Sequence, residues 1–274
     1  MLRIRKVADA TTAPNRAAIE AAQKIMREQF PAMPDYDIVK LPEQLANPLK
    51  HRFVARLFVA ENARDQTLGL ALLLHAPDIG FSYLEIISTA HGRTGRGIGA
   101  TLYERVREEA RALGTQLYFE SLPDDPALSP NPEIRANNAN RLTFYERYGA
   151  RPIINTAYET PVTPGTTDPP YLMLDPLGSN DLPSRDKVQR VVRAILERKY
   201  GWAPPMCSWW WTRSRTIRSA CASRATPSAR KRRRSVRSTS RASRSRSTTT
   251  TPSTMCRSAA MSRRRCVYAR SWPN

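Results

Sequence analysis

Glycines and arginines between residues 92 and 99 make this segment the one best suited to binding a ligand. Four glycines alternate there with polar residues and two arginines, at Gly92, Arg93, Gly95, Arg96, Gly97 and Gly99. An amphipathic helix follows, with an apolar face formed by Ile98, Leu102, Val106, Ala110 and Leu113. Glycine lets backbone N–H groups approach a ligand closely, and the first turn of a helix leaves N–H donors unpaired at the positive end of its dipole. The sequence therefore predicts a phosphate-binding loop.

Three interpretations of this loop are open from the residues alone. Gly95-x-Gly97-x-x-Ala100 fits a dinucleotide-binding fingerprint, and Glu120 lies at the distance where that motif places an acid for the ribose. The polar stretch 89–94 argues against it, because a Rossmann strand runs almost directly into the first glycine. No Gly-Lys-Ser/Thr follows, so the loop is not a Walker motif. The other two interpretations are a coenzyme A pyrophosphate loop and an ordinary glycine-rich loop with a solvated basic face.

Two separate segments resemble the GNAT-type N-acetyltransferases. The run 84–99 is similar to the fourth strand and acetyl-CoA loop of that family, whose signature is Gln/Arg-x-x-Gly-x-Gly/Ala. Gly97 and Gly99 stand at its two small positions, and Thr94 stands where the family has Gln or Arg. The run 138–150 resembles the family's Asn-x6-Tyr-x3-Gly-Phe segment, with Ala150 in place of Phe.

The resemblance implies an enzyme that transfers an acetyl group from acetyl-CoA to a primary amine by direct attack in a ternary complex. The acceptor amine is a small molecule or a protein. Backbone N–H groups near 87–89 are expected to bind the acetyl oxygen, and those of 94–99 the pyrophosphate. The implied acetyl-CoA-binding residues are Ile87, Thr89, Thr94, Gly95, Arg96, Gly97, Ile98, Gly99 and Asn138. No metal is expected.

Two side chains are the candidates for catalysis. Tyr145 matches the position that protonates the coenzyme A thiolate in the family, and its alternative role is that of a buried aromatic residue. Glu85 matches a position used as general base, where burial could raise its pKa to suit that task, and its alternative is a solvent-facing carboxylate. Asn138 either caps its helix or touches the cofactor. His91 is interpreted as a surface residue.

The elements needed to position these residues follow from periodicity. Strands are predicted at 2–7, 53–61, 67–75, 81–88, 116–120, 152–160 and 171–174. Helices are predicted after a cap at Asn15, at 42–46, from Ile98, at 139–148 and at 184–200. This order predicts an α/β fold with a mixed, mostly antiparallel central sheet flanked by helices, as the GNAT resemblance also implies.

Charge and cysteine are concentrated at one end of the chain. The formal net charge is +20, but residues 201–274 contain 17 Arg, one Lys and no acidic residue. Residues 1–200 hold 26 basic and 24 acidic residues and are nearly neutral. All four cysteines lie after residue 200, so thiol catalysis and a cysteine–zinc site are excluded for the first 200 residues. No stretch has membrane-spanning length, and a cytoplasmic location is expected.

The sequence predicts an acetyltransferase domain over 1–178, a linker and C-terminal helix over 179–201, and a disordered Arg/Ser-rich tail over 202–274. The tail has too little apolar surface to offset the chain entropy of folding. One interpretation is an arm that binds nucleic acid by counterion release, which would make the protein a basic nucleic-acid-binding protein. The other is out-of-frame translation of a GC-rich gene, which would yield Arg, Ser, Thr, Ala and Pro with scattered Trp and Cys.

Overall fold

The computed structural model of the chain describes residues 2–92, 97–153, 158 and 170–201. The strands in these residues are β1 (Arg3–Val7), β2 (Val54–Glu61), β3 (Thr67–Ala76), β4 (Phe81–Thr89), β5 (Leu117–Ser121), β6 (Arg151–Pro152) and β7 (Tyr171–Asp175). The helices are α1 (Ala13–Gln29), α2 (Asp35–Val39), α3 (Leu41–Ala46), α4 (Pro48–His51), α5 (Ile98–Ala112), α6 (Pro132–Glu146) and α7 (Arg185–Arg198). The tail 202–274 lies outside the described residues.

The described strands form one sheet in the order β1-β2-β3-β4-β5-β7-β6. All neighbouring strands pair antiparallel except β4 and β5, which run parallel. The central strands are apolar along nearly their whole length because helices cover both faces of the sheet. The predicted mixed, mostly antiparallel sheet flanked by helices is confirmed.

Each face of the sheet has its own hydrophobic core. One core joins the sheet to α1, the short helices α2 and α3, and α7, whose buried residues include Val191, Ile195 and Leu196. The other core joins the sheet to α5 and α6. Helix α7 therefore packs on the same core as α1. The buried side chains near its C-terminus hold that end of α7 against the sheet.

Gly69 allows α5 to lie close to β3. A Cβ at this position would be 2.8 Å from the backbone oxygen of Ser88 and 3.1 Å from Cδ1 of Leu102. Because real Cβ atoms do not approach backbone oxygen that closely, only glycine fits without a shift. The close packing brings the N-terminus of α5 beside the end of β4.

The beginning of α1 differs from the prediction. Asn15 was expected to cap this helix, but the helix begins at Ala13 and its cap is Thr12. The Thr12 side chain accepts a hydrogen bond from the backbone N–H of Asn15 at 3.3 Å. Pro14 suits the first turn, where a missing N–H costs nothing, so the helix includes it.

The beginning of α6 was also predicted wrongly. The helix was expected to start at Ala139, yet it begins at Pro132 after the cap Asn131. The Asn131 side chain accepts hydrogen bonds from the N–H groups of Glu133 at 2.9 Å and Ile134 at 3.3 Å. Asparagine followed by proline is a strong helix start, and the weak amphipathicity of its first two turns concealed it.

Two further segments differ from the prediction. The proline-broken stretch before β2 was expected to hold one short helix, but it holds three, α2, α3 and α4. Of the strand predicted at 152–160, the structure shows β6 and a bridge at Ile153. Residues 154–157 and 159–160 lie outside the described residues, as does most of the loop before β7.

Candidate active site

The central feature of the site is a gap between β4 and β5. The two strands pair only over 82–84 with 117–119, and the pairing ends at Leu84. β4 continues to Thr89 alongside β3 only. Its backbone from Glu85 onward therefore faces a space that β5 does not fill, and a ligand can reach backbone N–H groups that a continuous sheet would use internally.

A β-bulge stands at the point where the strands separate. In the pairing of β3 with β4, Leu72 faces Ile86 and Leu73 faces Leu84, so Glu85 is the extra residue. A bulge bends its strand and re-aims a side chain, and it is common next to active sites. Sequence reasoning missed this bulge, because the strand was predicted from a largely apolar run and its register was not examined.

The gap forms a cleft of about 150 Å³. Its walls come from α1, β4, β5, α6 and the residue before β7. The lining residues are Gln29, Phe30, Tyr83, Leu84, Glu85, Ile86, Ile87, Ser88, Phe119, Glu120, Ser121, Leu122, Arg141, Tyr145 and Pro170. Of the predicted site residues, the structure brings Glu85, Ile87 and Tyr145 together here.

The N-terminus of α5 follows the end of β4. Gly97 precedes the helix with a φ of 74°, a left-handed conformation that favours glycine. A Cβ at Gly97 would meet no atom of the described residues within 4 Å. Ile98 anchors the helix in the core, and Gly99 lies in the first turn. The predicted cofactor residues Thr94, Gly95 and Arg96 lie outside the described residues.

Tyr145 lies on α6 and is 6% exposed. Its ring packs 4.4 Å from that of Phe119 and 5.0 Å from that of Tyr103, between centroids. Burial raises the pKa of Tyr145 to about 12, with a smaller opposing effect from Arg141. The hydroxyl makes no hydrogen bond with any described residue, so a buried, protonated O–H remains available to the cleft.

Glu85 and Glu120 share one cation, Lys199. The Lys199 ammonium lies 3.5 Å from Oε2 of Glu85 and 3.3 Å from Oε2 of Glu120, and it donates a hydrogen bond of 2.6 Å to the Tyr83 hydroxyl. The side chains of Lys199 and Glu120 are each 5% exposed, and that of Glu85 is 14% exposed. The interpretation of Glu85 as a solvent-facing carboxylate is therefore wrong.

Glu120 is fully partnered. It accepts hydrogen bonds from the hydroxyls of Tyr158 and Tyr200 in addition to the contact with Lys199. Burial alone would raise the pKa of Glu120, but Lys199 and the two hydroxyls outweigh burial, and the pKa is lowered. Glu120 is thus a stable buried carboxylate.

Glu120, Lys199 and Tyr200 are the site residues whose role sequence reasoning missed. From the sequence, Glu120 was considered only as the acidic residue that would bind the ribose in a dinucleotide site. Lys199 was considered only as part of the helix predicted at 184–200. The pairing spans 79 residues between Glu120 and Lys199. No local spacing signals such a contact, since it depends on how α7 crosses the sheet.

Asn138 lies in the middle of α6 and does not cap a helix. Its side chain is buried and donates a hydrogen bond of 2.9 Å to the carbonyl of Pro123. The capping role was wrong because the helix starts earlier. Its predicted contact with the cofactor stays a prediction, and the amide ties α6 to the segment after β5.

The described residues lack two other features. No group of three or more His, Cys, Asp or Glu side chains within them is arranged to hold a metal ion. No helix among them is both long and apolar enough to cross a membrane. His91, interpreted as a surface residue, is exposed.

The strand order and the parallel β4–β5 pair that separates agree with the mixed, mostly antiparallel sheet that the GNAT resemblance implies. No family model and no curated protein matches the chain. Solved structures do match. An aminoglycoside 6'-N-acetyltransferase complexed with coenzyme A is 16% identical with a TM-score of 0.49, over 66% of this chain and 99% of that chain.

Two further solved structures resemble the chain. Tetrahymena Gcn5 is 14% identical with a TM-score of 0.44, over 63% of this chain and 94% of its own. The PaiA N-acetyltransferase of Thermoplasma acidophilum, in complex with coenzyme A, is 14% identical with a TM-score of 0.40, over 64% of this chain and 98% of its own.

Proposed function

We propose that the chain is a GNAT-type N-acetyltransferase that transfers an acetyl group from acetyl-CoA to a primary amine. The observation that carries the proposal is the cleft between β4 and β5. One cleft combines an unpaired stretch of strand backbone, a carboxylate at a bulge and a buried, protonated tyrosine hydroxyl. These are the groups that transfer from a thioester to an amine requires.

The cofactor is assigned to the loop and the first turn of α5. Gly97 and Gly99 leave room for the pyrophosphate to approach backbone N–H groups, and the positive end of the helix dipole favours its negative charge. Arg96 of the preceding loop adds positive charge. Ile87 and Thr89 lie on the part of β4 beyond its pairing with β5, where backbone N–H groups hold the acetyl moiety.

The proposed reaction is direct attack in a ternary complex. Glu85 accepts a proton from the ammonium group of the acceptor, and the amine nitrogen then attacks the thioester carbonyl. Backbone N–H groups of β4 near Ile87 hold the oxyanion. As the carbon–sulfur bond breaks, the hydroxyl of Tyr145 donates its proton toward the leaving thiolate. The second proton of the amine nitrogen is lost as the amide forms and restores the Tyr145 hydroxyl, and the proton on Glu85 passes to solvent. The products are an acetylated amine and coenzyme A.

Tyr145→Phe tests this function in an assay that measures thiol release from acetyl-CoA over a panel of primary amines. We expect kcat to fall about 10²-fold, the usual contribution of a positioned acid, with the Kd of acetyl-CoA unchanged. Tyr148→Phe is the matched control, since Tyr148 belongs to the same aromatic cluster but does not line the cleft. Wild-type protein that neither binds acetyl-CoA nor acetylates any amine would refute the proposal.

A further inference from the structure

The Lys199 side chain contacts three residues that line the cleft. Its ammonium contacts Glu85 and Glu120 and donates a hydrogen bond to Tyr83, and all three of these partners line the cleft. The ammonium also lies 4.7 Å from the centroid of the Tyr83 ring and 4.9 Å from that of Tyr200. Two carboxylates and two aromatic faces thus surround one primary ammonium group on an aliphatic stem.

This arrangement is a recognition site for an alkylammonium ion. Carboxylates supply the charge, aromatic rings attract the cation through their faces, and the apolar ring surfaces accommodate the methylene stem. The chemistry of the site matches a lysine-like primary amine.

The two carboxylates are not equally satisfied. Glu120 accepts hydrogen bonds from two tyrosines in addition to Lys199. Oε2 of Glu85 is buried and accepts no hydrogen bond from any described residue, and its contact with Lys199 is an ion pair at 3.5 Å. A buried carboxylate oxygen without a donor is destabilising, so a ligand that supplies an N–H to it removes that cost and gains affinity.

We propose that Lys199 occupies the position of the acceptor's ammonium group, and that the acceptor binds by displacing it. This inference rests on the proposed function, and it specifies the acceptor as a primary alkylammonium ion. With Lys199 in place, its ammonium group is paired with the carboxylates of both Glu85 and Glu120. A second cation would meet repulsion from the first, so occupancy by the chain's own lysine weakens binding of external amines.

The displacement requires only a side chain to move. α7 is held through Val191, Ile195 and Leu196 in the core, and Arg198 pairs with Asp78 outside the cleft. Lys199 is the C-cap residue that follows the last turn. The Lys199 stem can therefore swing away while the helix stays docked.

Calorimetric titration with n-butylamine tests the displacement directly, with and without acetyl-CoA. Lys199→Met keeps an unbranched apolar side chain and removes the charge. Because the Lys199 ammonium then no longer competes for the site, we expect the Kd of butylammonium to fall at least about tenfold. The double variant Lys199→Met with Glu85→Gln is expected to lose that gain. n-Butanol has the same alkyl chain without the charge, and its affinity is expected to be the same for Lys199→Met and the wild type.

Lys187→Met is the matched control. Lys187 lies on the same helix with a part-buried ammonium, which donates hydrogen bonds to backbone carbonyls at Ile79 and Gly80 rather than to the cleft. We expect it to bind butylammonium as the wild type does. If Lys199→Met fails to fold, Lys199→Gln is measured in its place, and thermal melts establish which variant is folded.

Equal butylammonium affinity in the folded Lys199 variant and the wild type would overturn the inference. That failure is distinct from failure of the proposed function. An enzyme that still acetylates amines, with a KM unchanged by Lys199→Met, keeps the function and loses the inference. A protein without acetyl-CoA binding loses the function, while the butylamine titration without acetyl-CoA still decides whether Lys199 fills an ammonium site.

Discussion

Two clusters of buried charged residues in this domain contain the same kinds of side chain but differ in their roles. In the first, Asp175 accepts hydrogen bonds of 2.8 Å from the Tyr103 hydroxyl, from Nε of Arg107 and from the backbone N–H of Leu177. In the second, Glu120 and Glu85 surround Lys199. Each cluster has one cation; the first has one carboxylate and one tyrosine hydroxyl, and the second has two carboxylates and three tyrosine hydroxyls.

The difference lies in what each cluster faces. Both carboxylate oxygens of Asp175 have donors, and Arg107 also donates to the carbonyl of Tyr148, so this cluster is closed and joins α5 to β7. In the cluster of Lys199, Tyr83, Glu85 and Glu120 line a cleft, and Oε2 of Glu85 has no hydrogen-bond donor among the described residues. A closed cluster stabilises the fold, whereas an incompletely satisfied cluster on a cleft is prepared for a ligand.

The largest expected effect is on stability, at the closed cluster. Asp175→Asn leaves the buried Arg107 without its counter-charge, and breaking such a pair costs about 3–5 kcal/mol of the free energy of unfolding. Urea denaturation measures the loss. The KM for acetyl-CoA of the folded fraction is expected to stay within about twofold, since Asp175 does not line the cleft. A stability close to that of the wild type would show that the closed cluster does not stabilise the fold.

The next effect is on activity, at the open cluster. Glu85→Gln removes the proposed proton acceptor, so we expect kcat/KM for the amine to fall about 10²-fold. The free energy of unfolding is expected to change by less than about 1 kcal/mol, because Lys199 keeps Glu120 as its counter-charge and Oε2 of Glu85 has no hydrogen-bond donor among the described residues to lose. Steady-state kinetics with matched urea curves measure both. Full activity in Glu85→Gln would contradict the assignment.

These two clusters also show what the sequence could and could not reveal. β4 and α5 were predictable because an apolar run and helical periodicity are local signals. Glu85 and Tyr145 were found through resemblance to a motif. The bulge at Glu85 and the partnership of Glu120 with Lys199 were not predictable, since both depend on pairing between distant segments.

A smaller effect concerns acid stability. The pKa of Glu120 is lowered below its ordinary value of 4.5 in the folded protein. The stabilisation from its ionised form is therefore complete above about pH 4.5 and is lost as the pH falls toward the lowered pKa. We expect Glu120→Gln to reduce the loss of unfolding free energy on acidification, and Glu20→Gln, at an exposed site, to leave it unchanged. Identical acid profiles for Glu120→Gln and the wild type would contradict the described pairing.

The central claim, that acetyl-CoA binds at the start of α5, is tested most directly by calorimetric titration of acetyl-CoA into Gly97→Glu and Gly178→Glu. Both glycines have positive φ, 74° and 89°, and a Cβ at either would meet no atom of the described residues within 4 Å, so the backbone strain of the two substitutions is comparable. Only the first places a carboxylate at the proposed pyrophosphate site. We predict that Gly97→Glu abolishes binding and Gly178→Glu binds as the wild type does. Normal acetyl-CoA affinity in folded Gly97→Glu would contradict the account.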